Sequence, residues 1–362
     1  MISCMASDIH PAGSASILKR KGSRLGAAAL AFFMLGLVFA VFVLCVAVGS
    51  VPVPFLKTAS IIFHALSGQP LLEDTQAVII LSVRLPRVLN VLLSGASLAL
   101  CGAVMQGLLR NPLADGGTLG VSAGASLGAM LAILLGISVP ALPLAGTAVM
   151  AVVFAFLSMM LILSLAFALD RSLATGTIIL IGIIFTMFIS SLMNLIIAFS
   201  GPWLRTITFW TMGSLTGSGY RESLLLTVAL LLCGAVLLTH AKELDAFSLG
   251  EENARHIGVS VRRVRLGVMV AVSALIGVCV SIGGSIGFVG LVIPHIARLL
   301  TGPSHRRLLP ASLFLGAVFL MLCDLLARTI LSPLELPLGV VTSLIGAIFF
   351  VVILSRSRRR PT

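Results

Sequence analysis

Lysine is scarce in this chain. The four lysines are Lys19, Lys21, Lys57 and Lys242, and none follows a glycine. A phosphate-binding P-loop needs Gly-Lys followed by Ser or Thr, so the chain cannot bind and hydrolyse ATP by that route. Charge of either sign is also rare, at 10% of residues, where a soluble domain carries roughly 25%. The six cysteines, Cys4, Cys45, Cys101, Cys233, Cys279 and Cys323, form no CxxC pair. Five of them lie in apolar runs and read as small buried hydrophobes rather than metal ligands or redox centres. Carboxylates and histidines are nearly missing from the apolar runs, so no embedded proton relay is apparent.

What the chain has instead is hydrocarbon. Hydrophobic residues make up 59% of it and the mean hydropathy is +1.17. Such runs must be helices, because lipid leaves backbone groups no other partner, and they lack the alternation of a β-barrel. With about 20 residues per span, and breaks at 136–143 and at Gly283-Gly284-Ser285-Ile286-Gly287, ten segments emerge. They cover about 25–49, 78–108, 118–136, 142–169, 174–198, 223–240, 266–282, 288–300, 309–331 and 338–354. The expected fold is therefore an all-α polytopic membrane protein: a lead over 1–24, a membrane domain over 25–354 and a basic tail over 355–362.

An even number of spans puts both termini on one side. Of the 24 Lys and Arg residues, only Lys57, Arg84, Arg87, Arg205, Arg221 and Arg328 then fall on the other side. By the positive-inside rule the termini are cytoplasmic. The net charge of +12 is mostly this topology signal and gives no reason to expect nucleic acid. The apolar core after Lys19–Arg24 is too long for a cleaved signal, so the first helix is retained. Residues 1–18 read as a disordered lead.

The longest charged interruption is 241–265, between the sixth and seventh segments. A short helix over Asp245–Ile257, broken by Gly258 and continued by a turn capped by Ser260, would make a rigid lever across the bundle end. If transport is active, a separate nucleotide-binding subunit must push on such a surface; the alternative is a merely solvated loop. Two residues inside a helix are ionisable, Asp324 and Arg328, spaced i, i+4 so that they can pair. His295, on a segment of about 13 residues that reaches only about 20 Å, has no His or Cys partner at helical spacing. It reads as a packing or capping residue in a broken helix. Gly95, Gly102 and Gly107, with Gly283, Gly287 and Gly290, permit close helix packing. Trp203, Phe209, Trp210 and Tyr220 read as an interfacial belt.

Four ordered stretches carry a resemblance. They are Arg84-Leu85-Pro86-Arg87 with Gly95, Gly102, Gln106 and Arg110–Asp115; Glu252-x-Ala254-x-x-x-Gly258; Ile286–His295; and Glu335–Thr342. Together they resemble the FecCD family, ABC importer permeases for iron-siderophores, haem and cobalamin, over roughly Val78–Leu354. Gly346-Ala347-Ile348-Phe349 departs from the family, which commonly has proline after the alanine. The resemblance implies a type II ABC importer permease in a bacterial inner membrane, not itself an enzyme and without cofactor or metal. Its implied partners are two ABC ATPase subunits, a periplasmic substrate-binding protein, a second permease copy (homodimer or heterodimer) and membrane lipid. By motif, Arg84, Arg87 and Arg328 would dock the binding protein, snorkelling being the plainer alternative. Gly250, Glu251, Glu252, Ala254 and Gly258 would couple to the ATPase, and Asn111, Leu113 and Thr175 would form a cytoplasmic gate. The expected substrate is an iron(III)-siderophore, with haem or cobalamin as alternatives. An ion-gradient transporter or a non-transporting scaffold are the readings from other classes.

Overall fold

The computed structural model describes residues 12–49, 51–67, 74–117, 119–137, 143–170 and 175–358. Among these the regular structure is helical throughout, with no strand. Helix α1 runs Ala12–Ala47, followed by a short α2, Phe55–Leu66. Next come α3, Thr75–Val78, a π-helical turn at Ile79–Arg84 and α4, Leu85–Leu108, which form one continuous rod. The widened turn ends two residues before Pro86, which has no N–H to return to residue 82 and whose ring crowds that carbonyl. Asp74 starts the rod by accepting a 2.9 Å bond from the Gln76 N–H.

Helices α5, Val121–Leu134, α6, Pro143–Leu169, and α7, Thr175–Phe199, come next. A 3₁₀ turn, Gly201–Trp203, then leads into α8, Leu204–Thr211, and α9, Tyr220–Thr239. The charged interruption holds α10, Ala241–Phe247, and α11, Glu251–His256. The chain closes with α12, Val261–Gly283, α13, Val289–Thr301, α14, His305–Thr329, and α15, Leu338–Arg358.

Seven helices are long and apolar enough to cross a membrane, and Val121–Leu134, Val289–Thr301 and Leu338–Val352 are shorter apolar helices. Together they occupy the ten expected positions. Four details differ from the sequence reading. Helix α1 begins at Ala12, so part of the stretch read as a disordered lead is helical. Helices α2 and α8 were not expected, because 12 and 8 residues are too few to span and a search for long apolar runs passes over them. The break in the charged interruption falls at Ser248–Gly250, inside the stretch read as a single helix.

The rod of α3 and α4 is the centre of the bundle: 78% of its most apolar window is buried, against 28% for α7. It packs on α14, α13, α9 and α12, while α5 and α6 form a second layer against α12. Glycine sets these distances. A Cβ at Gly102 would lie 2.0 Å from the Gly290 carbonyl oxygen, and one at Gly95 would lie 2.3 Å from that of Gly316. Backbone therefore meets backbone at two points, two turns apart, along one face of α4. The outward faces of α7 and α9 carry exposed apolar side chains such as Phe188 and Leu231, which call for hydrocarbon or another chain.

Candidate functional sites at the two ends of the bundle

At the N-terminal end of α4, arginines converge in the interior. Arg87 contacts Asp324 through Nε at 3.0 Å and a terminal nitrogen at 2.9 Å, and Glu335 at 2.8 Å. Arg328 reaches the other Asp324 oxygen at 3.0 Å and donates to the Cys45 carbonyl at 2.7 Å. Arg84 donates to the carbonyls of Ala47, at 2.9 Å, and Val51. The Thr216 hydroxyl donates to Glu335 at 3.0 Å, which ties in the α8–α9 loop. Partial burial works against ionisation of Glu335, but Arg87 and the Thr216 hydroxyl outweigh it and hold the carboxyl below its usual range.

Asp324 and Arg328 thus do pair at i, i+4, and Arg87 is their third member. Arg84, Arg87 and Arg328 are only 4%, 6% and 2% exposed. Direct contact between any of them and a docking partner would require it to leave this network. Tyr220 donates to the Leu81 carbonyl at 2.6 Å and locks α9 to the π turn.

The opposite end carries α10 and α11. Helix α10 is pinned by buried Leu244 and Phe247, and α11 by Ala254, which is fully buried. Gly250, at φ 108°, makes the corner between them in a conformation that side chains resist. Glu251 is half-buried and paired with Arg265. Of the five expected coupling residues, Glu252 and Gly258 lie on the exposed surface, beside Arg255, His256 and Ile257. Gly250, Glu251 and Ala254 shape the segment from within.

One anchor had no signal in the sequence reading. Asp245 on α10 accepts from the His305 N–H at 2.8 Å, from the Ser304 hydroxyl at 3.1 Å, and pairs with His305 Nδ1 at 2.7 Å. Burial opposes ionisation of Asp245, yet these donors hold its carboxyl below the usual range. The carboxylate also sits at the N-terminus of α14, where negative charge is favoured. A Ser before a basic helix start was visible in the sequence, but its partner 59 residues away was not.

The expected gate residues fall partly together. The Leu113 N–H donates to Asn111 Oδ1 at 2.8 Å, closing a turn after α4, with Arg110 at φ 50°. Thr175 is the first residue of α7, and its side chain lies outside the described residues. Beyond this turn lies a cavity of about 560 Å³ whose lining includes Asp115, Thr211, Ser285, Phe288, Leu291 and Gly339. Its floor is the α12–α13 break, where Gly284 has φ 65° and Phe288 has φ 67°. His295 is half-buried on α13, and among the described residues no group of three or more His, Cys, Asp or Glu side chains is placed to hold a metal.

The model of the FecCD transport family matches residues 37–356. A vitamin B12 import system permease protein, BtuC of Klebsiella pneumoniae, is 43% identical over 281 residues, covering 77% of this chain and 82% of that one. The molybdate import system permease protein MolB of Haemophilus influenzae is 38% identical over 291 residues, covering 80% and 84%. Among solved structures, an inward-facing ABC transporter described as of metal-chelate type aligns with a TM-score of 0.78 and 33% identity, covering 91% of this chain and 99% of that one.

Proposed function

Since the chain belongs to the FecCD transport family, we propose that it carries a bulky metal chelate, an iron(III)-siderophore, through a paired permease driven by separate ATPase subunits. The fold is that of a type II ABC importer permease. The observation that carries the energetic part of this reading is the α10–α11 segment. It is anchored by buried Phe247 and Ala254 while presenting exposed Glu252 and Gly258, in a chain with no Gly-Lys to hold nucleotide itself. The positive-inside bias supports placing this end in the cytoplasm, with both termini.

In this arrangement a binding protein delivers the chelate at the Arg84 end. Arg84, Arg87 and Arg328 hold that outer surface in shape from beneath, with Glu335 and Thr216 nearer to it. The cavity beside Asp115 and Phe288 lies on the path, and Asn111, Leu113 and Thr175 close it from the inner side. ATP binding by the partner subunits moves α10 and α11, and the helices tilt to alternate access. A second copy of the chain, or a related permease, completes the path.

The molybdate and cobalamin importers among its relatives make substrate the open part of this reading, with haem and cobalamin as the alternatives. Titrating the cognate binding protein with an iron-siderophore, haem and cobalamin decides it. Sub-micromolar binding of the siderophore alone is expected, and preference for either tetrapyrrole ligand would overturn the siderophore assignment while leaving the transport mechanism intact.

A further inference from the structure

We infer that Asp245 and His305 form the joint through which the α10–α11 segment is geared to the inner ends of α14 and α4. The inference rests on the ATPase-coupling reading and names how motion leaves that segment. Three donors from the start of α14 converge on one carboxylate of α10: the His305 N–H at 2.8 Å, His305 Nδ1 at 2.7 Å and the Ser304 hydroxyl at 3.1 Å. A carboxylate of this kind accepts only, so Nδ1 carries the hydrogen. The imidazole is 3% exposed and cannot swing into solvent without leaving the core.

The other edge of the ring faces α4. Nε2 is buried without a hydrogen-bond partner, and a Cβ built on Gly107 would lie 2.3 Å from it. Gly107 is therefore the space into which His305 fits. The same turn of α4 holds the start of the gate turn: the Gly107 carbonyl accepts from the Arg110 N–H at 3.3 Å, and the Gln106 carbonyl accepts from the Asn111 N–H at 3.2 Å. Gln106 also donates to the Gly290 and Leu291 carbonyls at 3.2 and 3.1 Å, and Leu291 lines the cavity.

A displacement of α10 thus reaches the gate turn through two side chains and one glycine, and the cavity wall through the Gln106 side chain beyond them. Interiors are close-packed and transmit displacement poorly only where there is slack. A carboxylate with three donors and a ring seated on a glycine leave little. Asp245 and His305 are positioning residues, since neither faces the cavity.

The test uses the whole transporter, reconstituted with its ATPase and binding protein, and reads ATP hydrolysed per substrate moved together with co-purification of the ATPase. Asp245→Ala should raise the ATP cost per substrate by about fivefold or more, the lower end of common coupling factors, with the ATPase still bound. Asp245→Asn keeps an acceptor for the His305 N–H and Ser304 and should restore most of the coupling. Gly107→Ala, on a different helix, should uncouple in the same way by displacing the ring, and His305→Ala, which removes both the Nδ1 contact and the ring seated on Gly107, should uncouple as well. Ratios within twofold of wild type for both Asp245→Ala and Gly107→Ala would overturn the joint. So would a ratio within twofold of wild type for His305→Ala, or loss of the ATPase from Asp245→Ala, which would place Asp245 in docking rather than transmission. A wild-type chain that binds no ATPase would instead overturn the reading on which the joint rests.

Discussion

Asp324→Ala is expected to destabilise the protein by about 3–5 kcal/mol, the range for breaking a buried ion pair by deleting one partner. Asp324 is 1% exposed and its two oxygens serve two guanidiniums, Arg87 and Arg328. Deletion leaves Arg87 with Glu335 alone and Arg328 with the Cys45 carbonyl. Arg84 lies in the same region and is held by carbonyls, so the cluster loses half of its negative charge while keeping all of its positive charge. Thermal unfolding in detergent, monitored by size-exclusion, checks this; a midpoint equal to wild type would show that the network contributes little. Removing both sides should cost less than the sum. Asp324→Ala combined with Arg328→Gln is expected to be more stable than adding the separate losses predicts, because Arg328 is no longer left buried without a carboxylate while Arg87 keeps Glu335.

Glu252→Lys and Gly258→Ala are expected to reduce substrate uptake about tenfold or more, the scale of a lost contact at the centre of an interface, without the loss of folded protein expected for Asp324→Ala. The segment's own anchors explain the difference. Ala254 and Phe247 are buried, and the Val259 N–H donates to the Ala254 carbonyl at 2.9 Å. None of these depends on the Glu252 side chain. Gly258 sits at φ 88°, where a Cβ is strained by about 1–2 kcal/mol, and nothing lies within 4 Å of that Cβ. Its substitution therefore bends an exposed corner and leaves the core alone. Uptake and ATP hydrolysis measured on the same preparation are the check, and normal values for both would return 241–265 to a solvated loop.

The contrast between the two ends shows what sequence carries. Spans were legible because lipid demands length and hydropathy, and the α12–α13 break was legible because Gly283, Gly284 and Gly287 cluster in five residues. The Asp324–Arg328 pair was legible because i, i+4 spacing is local. Its link to Arg87, 237 positions away, was not, and that link decides whether the arginines face out or in. Helices α2 and α8 escaped for a different reason. They are too short to span, so a rule built on bilayer thickness does not register them. Gly250 reads as part of a helix because its neighbours favour helix, whereas the corner uses the positive φ that glycine permits. The Asp245–His305 contact joins an interrupted charged stretch to the first turn of a helix, and no periodicity announces it.

The central claim is that this chain moves substrate only when a partner hydrolyses ATP. Substrate uptake into proteoliposomes containing the chain with and without its ATPase and binding protein tests it most directly. The account predicts uptake that requires all three components and ATP, and none from an imposed ion gradient. Gradient-driven accumulation by the chain alone would contradict it.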